Sequence, residues 1–209
     1  MYERYFKRAL DLLFSALMLI VLSPVLLVVA VAIKLDSKGP VIFKQKRIGK
    51  GKKHFNIYKF RTMRTDTPSE VPTNDLRGAN SYITKLGGFL RKTSLDELPQ
   101  LWNIFKGEMS FIGPRPALWN QFELIELRDR CGANDVLLGL SGWAQVNGRD
   151  FLGLDEEKKA QYDGEYAKNI SFGFDVKCLA LTVVNVLGMR GVADGDEGKN
   201  PSEPSKTEE

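Results

Sequence analysis

The residues best equipped for chemistry are Asp96 and Glu97, adjacent carboxylates within Ser94-Leu95-Asp96-Glu97-Leu98-Pro99-Gln100-Leu101, with the cations Arg91 and Lys92 just before them. A carboxylate in such company is held ionised and can act as a nucleophile or hold a divalent cation. Its hard oxygens suit Mg²⁺, which keeps waters and joins one or two carboxylates to substrate phosphates. Phosphoryl transfer is catalysed chiefly by positioning and fixed positive charge, so the nearby cations matter equally. Arg115 stands between Pro114 and Pro116, whose fixed φ values keep its backbone extended, and Arg149 follows the tight-turn signal Asn147-Gly148. Their planar forks match phosphate oxygens bidentately. Lys59 and Arg61, in Tyr58-Lys59-Phe60-Arg61-Thr62-Met63, are further candidates.

Each of these has a plainer rival. Ser94 followed three residues later by Glu97 is the sequence form of a capping box, although Pro99 fits a helix start better if Asp96 is the N-cap. Either arginine alone would most simply form a surface ion pair, and Lys59 and Arg61 alternate as on an exposed strand face. Cys131 and Cys178 lie far apart and His54 is the only histidine, which excludes the usual Cys/His zinc sites and leaves no second histidine for acid–base work. Both cysteines read as small apolar residues.

These groups must be positioned by an unusual N-terminus. From Leu12 to Ile33 the chain runs twenty-two residues without a charge, broken near the centre by Ser23-Pro24. At about 1.5 Å per residue that length would just cross a hydrocarbon core of about 30 Å. Pro24 cannot donate to the carbonyl of Ile20, so a kink is expected, with the Ser23 hydroxyl serving a freed backbone group. Arg4, Lys7 and Arg8 precede the run and Lys34, Lys38, Lys44, Lys46 and Arg47 follow it, so positive-inside placement puts both ends in the cytoplasm. A re-entrant helix-break-helix meets both conditions; a kinked single span is its main rival, ahead of a signal peptide or a buried core helix.

The net charge of +4 hides an asymmetry, because residues 193–209 carry six acids and two lysines. Lys34 to Arg64 holds eleven Lys or Arg against one acid, a juxtamembrane cluster suited to anionic headgroups or phosphate ligands. Val41–Phe43 and Phe55–Tyr58 read as arms of a hairpin around Gly49-Lys50-Gly51. Helices are expected over Tyr82–Lys92, from Asp96 toward Phe105, through Arg130, and over Phe174–Leu187, where the apolar spacing is helical. The last of these would either close the core or lie on a membrane surface. The reading is an α+β, helix-rich cytosolic domain with a small β-hairpin: a re-entrant membrane segment over 1–34, a catalytic or binding domain over 35–191 and a disordered acidic tail over 192–209.

The ordered set of segments resembles the bacterial sugar transferase family, the monotopic phosphoglycosyl transferases. The matching pieces are the basic-apolar N-terminus with Ser23-Pro24, Tyr58–Met63, Leu90–Leu101, Gly107-Glu108-Met109-Ser110-Phe111-Ile112-Gly113-Pro114-Arg115-Pro116 and Gly142-Trp143-Ala144-Gln145-Val146-Asn147-Gly148-Arg149. The likeness covers about the first 190 residues, and the chain looks like the minimal catalytic form. It implies transfer of a sugar 1-phosphate from a UDP-sugar to a polyprenol phosphate such as undecaprenyl phosphate, with release of UMP. Carried over by motif, Asp96 is the nucleophile that becomes a sugar-phosphoryl aspartate and a Mg²⁺ ligand, and Glu97 is its partner in metal binding or proton acceptance. Arg115 and Arg149 would bind phosphates, with Lys59, Arg91 and, last, Asp175 as lesser candidates. Two departures are visible: Leu138 where members commonly have Pro, and Gly164-Glu165 in a stretch that is often more aromatic.

The resemblance further implies the bacterial inner membrane with the domain on its cytoplasmic face, membrane lipid and the two substrates as partners, a pathway such as exopolysaccharide assembly, and no nucleic acid, leaving a homodimer open. Two alternatives remain at this stage. One is a one-step, metal-assisted transferase without a covalent intermediate. The other is a membrane-anchored basic binding protein, for which the aromatics Phe55, Tyr58 and Phe60 among the cations would serve.

Overall fold

The computed structural model describes residues 1–68, 71, 76, 78–148 and 155–187. After a π-helical turn at Tyr2–Lys7 come helices α1 (Arg8–Val21) and α2 (Ser23–Asp36), then an antiparallel hairpin of β1 (Ile42–Ile48) and β2 (His54–Phe60). Helices α3 (Ala79–Tyr82), α4 (Lys85–Lys92) and α5 (Gln100–Lys106) follow. Beyond them lie β3 (Ser110–Ile112), α6 (Phe122–Cys131), β4 (Gly139–Ser141), α7 (Trp143–Gly148), α8 (Glu156–Lys168) and α9 (Phe172–Leu187). The architecture is thus α+β and helix-rich, as the sequence predicts, with a second small sheet besides the hairpin.

The N-terminal helices bend by 61° at the Ser23-Pro24 break. Pro24 lies in the first turn of α2, where a missing N–H is harmless, and Ser23 Oγ donates to the Ile20 carbonyl at 2.8 Å. That is the acceptor Pro24 cannot serve, so the expected repair is made. Among the described residues no single helix is long and apolar enough to cross a membrane, though the bent pair is by length and composition. Helix α1 is arranged inside out. Lys7, just before it, and Asp11 and Ser15 within it share one face by their spacing of four and are buried, whereas Leu13, Leu17, Ile20 and Val21 are exposed.

That polar face docks the N-terminal helices on the domain. Asp11 Oδ1 accepts from Ser110 Oγ and the Phe111 amide, both at 3.1 Å. The Arg8 guanidinium donates to the carbonyls of Ile104 and Phe105 at 2.7 and 2.8 Å, placing a cation on the C-terminus of α5. Asp175 of α9 accepts from Tyr2, Lys7 and Tyr166 at 2.7, 2.5 and 2.7 Å. Val29 and Ile33 of α2 meanwhile pack with Phe60 and Leu90.

The hairpin is longer than the sequence signal implies, pairing Ile42 with Phe60 through to Ile48 with His54. Strands β3 and β4 pair in parallel and went unpredicted. They approach so closely that a Cβ at Gly113, Gly139 or Gly142 would strike the opposing backbone. Asn147-Gly148 does not form the expected tight turn but closes α7, with Asn147 Nδ2 donating to the Trp143 carbonyl at 2.8 Å. Gly164 of α8 faces the Cys131 side chain with no room for a Cβ, so one departure from the family pattern fits the close contact of α6 and α8. Arg128 and Asp163 join the same helices as a buried ion pair, with Arg128 Nε 2.8 Å from Asp163 Oδ2. Helix α9 buries Asp175 and Cys178 and exposes Val176, Leu179, Val183 and Val184. Its inward face closes the core; its outward face is apolar. The acidic tail lies outside the described residues.

Candidate active site

The capping-box reading of Ser94 is overturned. Ser94 adopts a left-handed conformation, φ 56°, and its side chain caps nothing. The chain leaves α4 there, makes a single 3₁₀ turn over Leu95–Glu97 and enters α5 with Pro99 as the N-cap residue, so Asp96 is not the N-cap either. Leu95 packs on the Phe60 and Leu90 cluster, while Leu98 packs on that of Ile57, Leu101 and Ile104. These two leucines clamp the turn between two apolar clusters and so fix where Asp96 and Glu97 point. A left-handed non-glycine residue costs about 1–2 kcal/mol, and strain of this sort gathers at functional sites.

Lys59 reaches the turn from β2, and Arg115 from the segment after β3. Both donate to the same oxygen, Glu97 Oε1, at 2.8 and 2.5 Å. The backbone around Arg115 is tied down on both sides: the Pro114 carbonyl accepts from the Gly139 amide at 2.8 Å, and the Pro116 carbonyl accepts from Arg47 Nη1 at 2.9 Å. The two prolines and the glycine-lined strand pair together immobilise this arginine.

The two acids have opposite electrostatic fates. Burial alone would raise the Glu97 carboxyl, but Arg115 and Lys59 outweigh it and hold Glu97 far below the ordinary carboxylate range. For Asp96 burial prevails. Lys59, Arg115 and Arg91 pull its carboxyl down and Glu97 pushes it up, and the net displacement is upward. Asp96 is only 9% exposed and accepts no hydrogen bond from a described residue. Its lone pairs are therefore uncommitted, whereas Glu97 is pinned. Pairs of carboxylates driven apart in this way often divide chemical labour. As for a cation, the described residues contain no cluster of three or more His, Cys, Asp or Glu. The uncommitted Asp96 oxygens nonetheless fit the single-carboxylate attachment that Mg²⁺ accepts when phosphates and water complete its shell.

Of the sequence candidates, Asp96, Glu97, Lys59, Arg91 and Arg115 thus converge. Arg61 does not belong to the site: it donates to the Ser37 and Lys38 carbonyls at 2.8 and 2.9 Å and closes the end of α2. Asp175 has both oxygens engaged, Oδ2 by Tyr2 and Lys7 of the N-terminal segment and Oδ1 by Tyr166 of α8. Arg149 lies outside the described residues. His54 is exposed at the start of β2. Two cations stand near Arg115 that sequence reading did not single out. Burial lowers Arg47 to about 9, with Arg115 adding to the effect. Burial lowers Lys159 of α8 to about 8, with Arg128 and Arg115 contributing.

The strained turn that presents paired acids among cations is the candidate site, and it lies in a chain with clear similarities to known proteins. The model of the bacterial sugar transferase family matches residues 2–189. The UDP-glucose:undecaprenyl-phosphate glucose-1-phosphate transferase of Escherichia coli (strain K12) is 43% identical over 192 residues, 87% of this chain and 40% of that protein. The UDP-N-acetylgalactosamine-undecaprenyl-phosphate N-acetylgalactosaminephosphotransferase of Aeromonas hydrophila is 38% identical, covering 88% and 44%. The exopolysaccharide production protein PSS of Rhizobium leguminosarum bv. phaseoli is 37% identical, covering 87% and 94%. The chain therefore spans less than half of the first two and nearly all of the third. It belongs to the bacterial sugar transferase family.

Proposed function

We propose that this chain transfers a sugar 1-phosphate from a UDP-sugar to a polyprenol phosphate at a membrane surface. The observation that carries the reading is the Asp96 carboxylate, uncommitted yet ringed by Lys59, Arg115 and Arg91. In the first step an Asp96 oxygen attacks the β-phosphorus, the bond to the oxygen bridging the two phosphates breaks, and UMP departs with that electron pair. In the second step an oxygen of the lipid phosphate attacks the sugar-phosphoryl aspartate, and the phosphorus–carboxylate bond breaks to regenerate Asp96. Lys59 and Arg115 steady the charge spreading over the phosphoryl oxygens, and Glu97 holds those two cations in register. Bound Mg²⁺ at Asp96 would neutralise the diphosphate. The names of the relatives from E. coli and A. hydrophila support both substrate classes.

The reading is tested by incubating the protein with labelled UMP and a panel of UDP-sugars, without lipid acceptor. A covalent intermediate requires label to enter the UDP-sugar that is the true donor. A one-step transferase makes UMP only when undecaprenyl phosphate is added, and its detection would retire the covalent scheme. A basic binding protein releases no UMP under either condition.

The membrane arrangement belongs to the same proposal. The 61° bend, the buried polar face of α1 and the outward apolar residues support an anchor that enters one leaflet and returns. The site would then lie at headgroup depth on the cytoplasmic face of the inner membrane, where a lipid phosphate and a soluble nucleotide sugar can meet. Single cysteines at positions 3 and 38 are expected to be equally shielded from an impermeant thiol reagent applied to intact cells. Labelling at one end alone would mark a span.

A further inference from the structure

Arg47 is held at the edge of the candidate site by the segment that carries Arg115. In the hairpin register Phe43 faces Lys59 and Arg47 faces Phe55, so Lys59, Gln45 and Arg47 share one face of the sheet by the two-residue alternation of strands. The same face carries Phe43, Phe55 and Ile57, and the stretch from the Lys59 pairing to Arg47 is about 13 Å long at about 3.3 Å per residue. Lys59, at one end, meets Glu97. Arg47, at the other, meets the segment carrying Arg115, where Ile48 N also donates to the Ala117 carbonyl at 3.0 Å.

The hydrogen-bond partners of Arg47 are all neutral. Nη1 donates to the Pro116 carbonyl, while Nε and Nη2 donate to Gln45 Oε1 at 3.1 and 2.5 Å. No carboxylate among the described residues pairs with it. A half-buried guanidinium set beside another guanidinium, with no paired acid and only the charge of Glu97 nearby in its favour, is a costly arrangement that an added anion would relieve. Lys59, Arg91, Arg115 and Arg47 are four cations near the two carboxylates Asp96 and Glu97, and Lys159 stands near Arg115 as well, so positive charge is in excess and suits a phosphate monoester dianion.

We propose that Arg47 is a further phosphate-binding residue of the site, taking a phosphate monoester on the far side of Arg115 from Lys59. The inference rests on the transferase reading above. Two sources share this ligand chemistry: the nucleoside monophosphate that leaves, and the polyprenol phosphate that accepts.

The test uses the full-length protein in nanodiscs, comparing wild type with Arg47→Gln and Arg47→Lys. UMP affinity is measured by calorimetry, and KM for undecaprenyl phosphate by UMP release. Glutamine keeps a donor for the Pro116 carbonyl but loses the charge; lysine keeps the charge but loses the fork. A charge-assisted contact of this kind predicts a loss of about ten- to a hundredfold for Arg47→Gln in one of the two constants, and a smaller loss for Arg47→Lys. Weakened UMP binding with an unaltered lipid KM assigns the leaving phosphate, and the converse assigns the acceptor.

If both constants stay within twofold of wild type while the melting temperature or kcat falls, Arg47 only braces the Pro116 segment and the proposal is overturned. Should Arg47→Gln fail to fold, Arg47→Lys decides alone: a loss of fivefold or more in either constant supports it, and no loss overturns it. Failure of the transferase reading looks different, since the wild type itself would then release no UMP from any UDP-sugar.

Discussion

Replacing Asp96 by Asn is expected to remove at least about a thousandfold of turnover, the usual cost of deleting a nucleophile, and to abolish exchange of UMP into the donor. The same substitution should make the protein more stable at neutral pH. Burial raises the folded-state carboxyl of Asp96 above its ordinary value, so the stability linked to this group is fully present in acid and is lost as pH rises through the folded value. In its charged form the carboxylate is buried and unbonded, and the neutral amide removes that cost. The pair of measurements is a UMP-release assay on protein free of wild-type enzyme and a thermal melt across pH. A native rate in Asp96→Asn would refute the mechanism. An unchanged or lower melting temperature at neutral pH would refute the account of the electrostatics.

Glu97→Gln should behave in the opposite sense. Glu97 satisfies Lys59 and Arg115 with one oxygen, and its removal strands two cations. A broken buried pair costs about 3–5 kcal/mol, and the partial exposure of Arg115 reduces this to about 2–4 kcal/mol. In a domain of this size that lowers the melting temperature by roughly 5–15 °C. The folded Glu97 carboxyl lies below its unfolded value, so the stability it supplies is present above the ordinary carboxylate range and fades as pH falls below it. The gap between wild type and variant should accordingly be widest near neutrality and close in strong acid. Activity should also fall, because Lys59 and Arg115 lose their common tether. A variant that melts like wild type at pH 7 would show that Glu97 does not organise the site.

Much of this site was legible in the chain. The Asp96-Glu97 pair, the proline-braced Arg115 and the Ser23-Pro24 break each carry a strong local signal, since proline and adjacent acids constrain their surroundings whatever the tertiary context. The hairpin was legible too, though its reach to Ile48 and His54 was not, because Lys44, Lys46 and Lys53 dilute the apolar alternation. The failures have physical causes. Strands β3 and β4 are three residues each, and their pairing depends on glycine contacts that no periodicity announces. Ser94 has the residue type of an N-cap, yet the apolar demands of Leu95 and Leu98 override that preference and twist it left-handed. Arg47 was lost in a run of basic residues, although its spacing of four from Phe43 would have placed it on the Lys59 face once the hairpin register was known.

The docking of the N-terminal helices has a practical corollary. Lys7 and Tyr2 neutralise and bond Asp175, and Arg8 closes α5, the helix that follows the reactive turn. Trimming the first thirty-four residues would leave Asp175 without its cation, held by Tyr166 alone, and would uncap the C-terminal end of α5. Purification of an intact polypeptide is therefore a condition of studying its chemistry, because the proposed membrane anchor and the scaffold of the candidate site are made from the same residues.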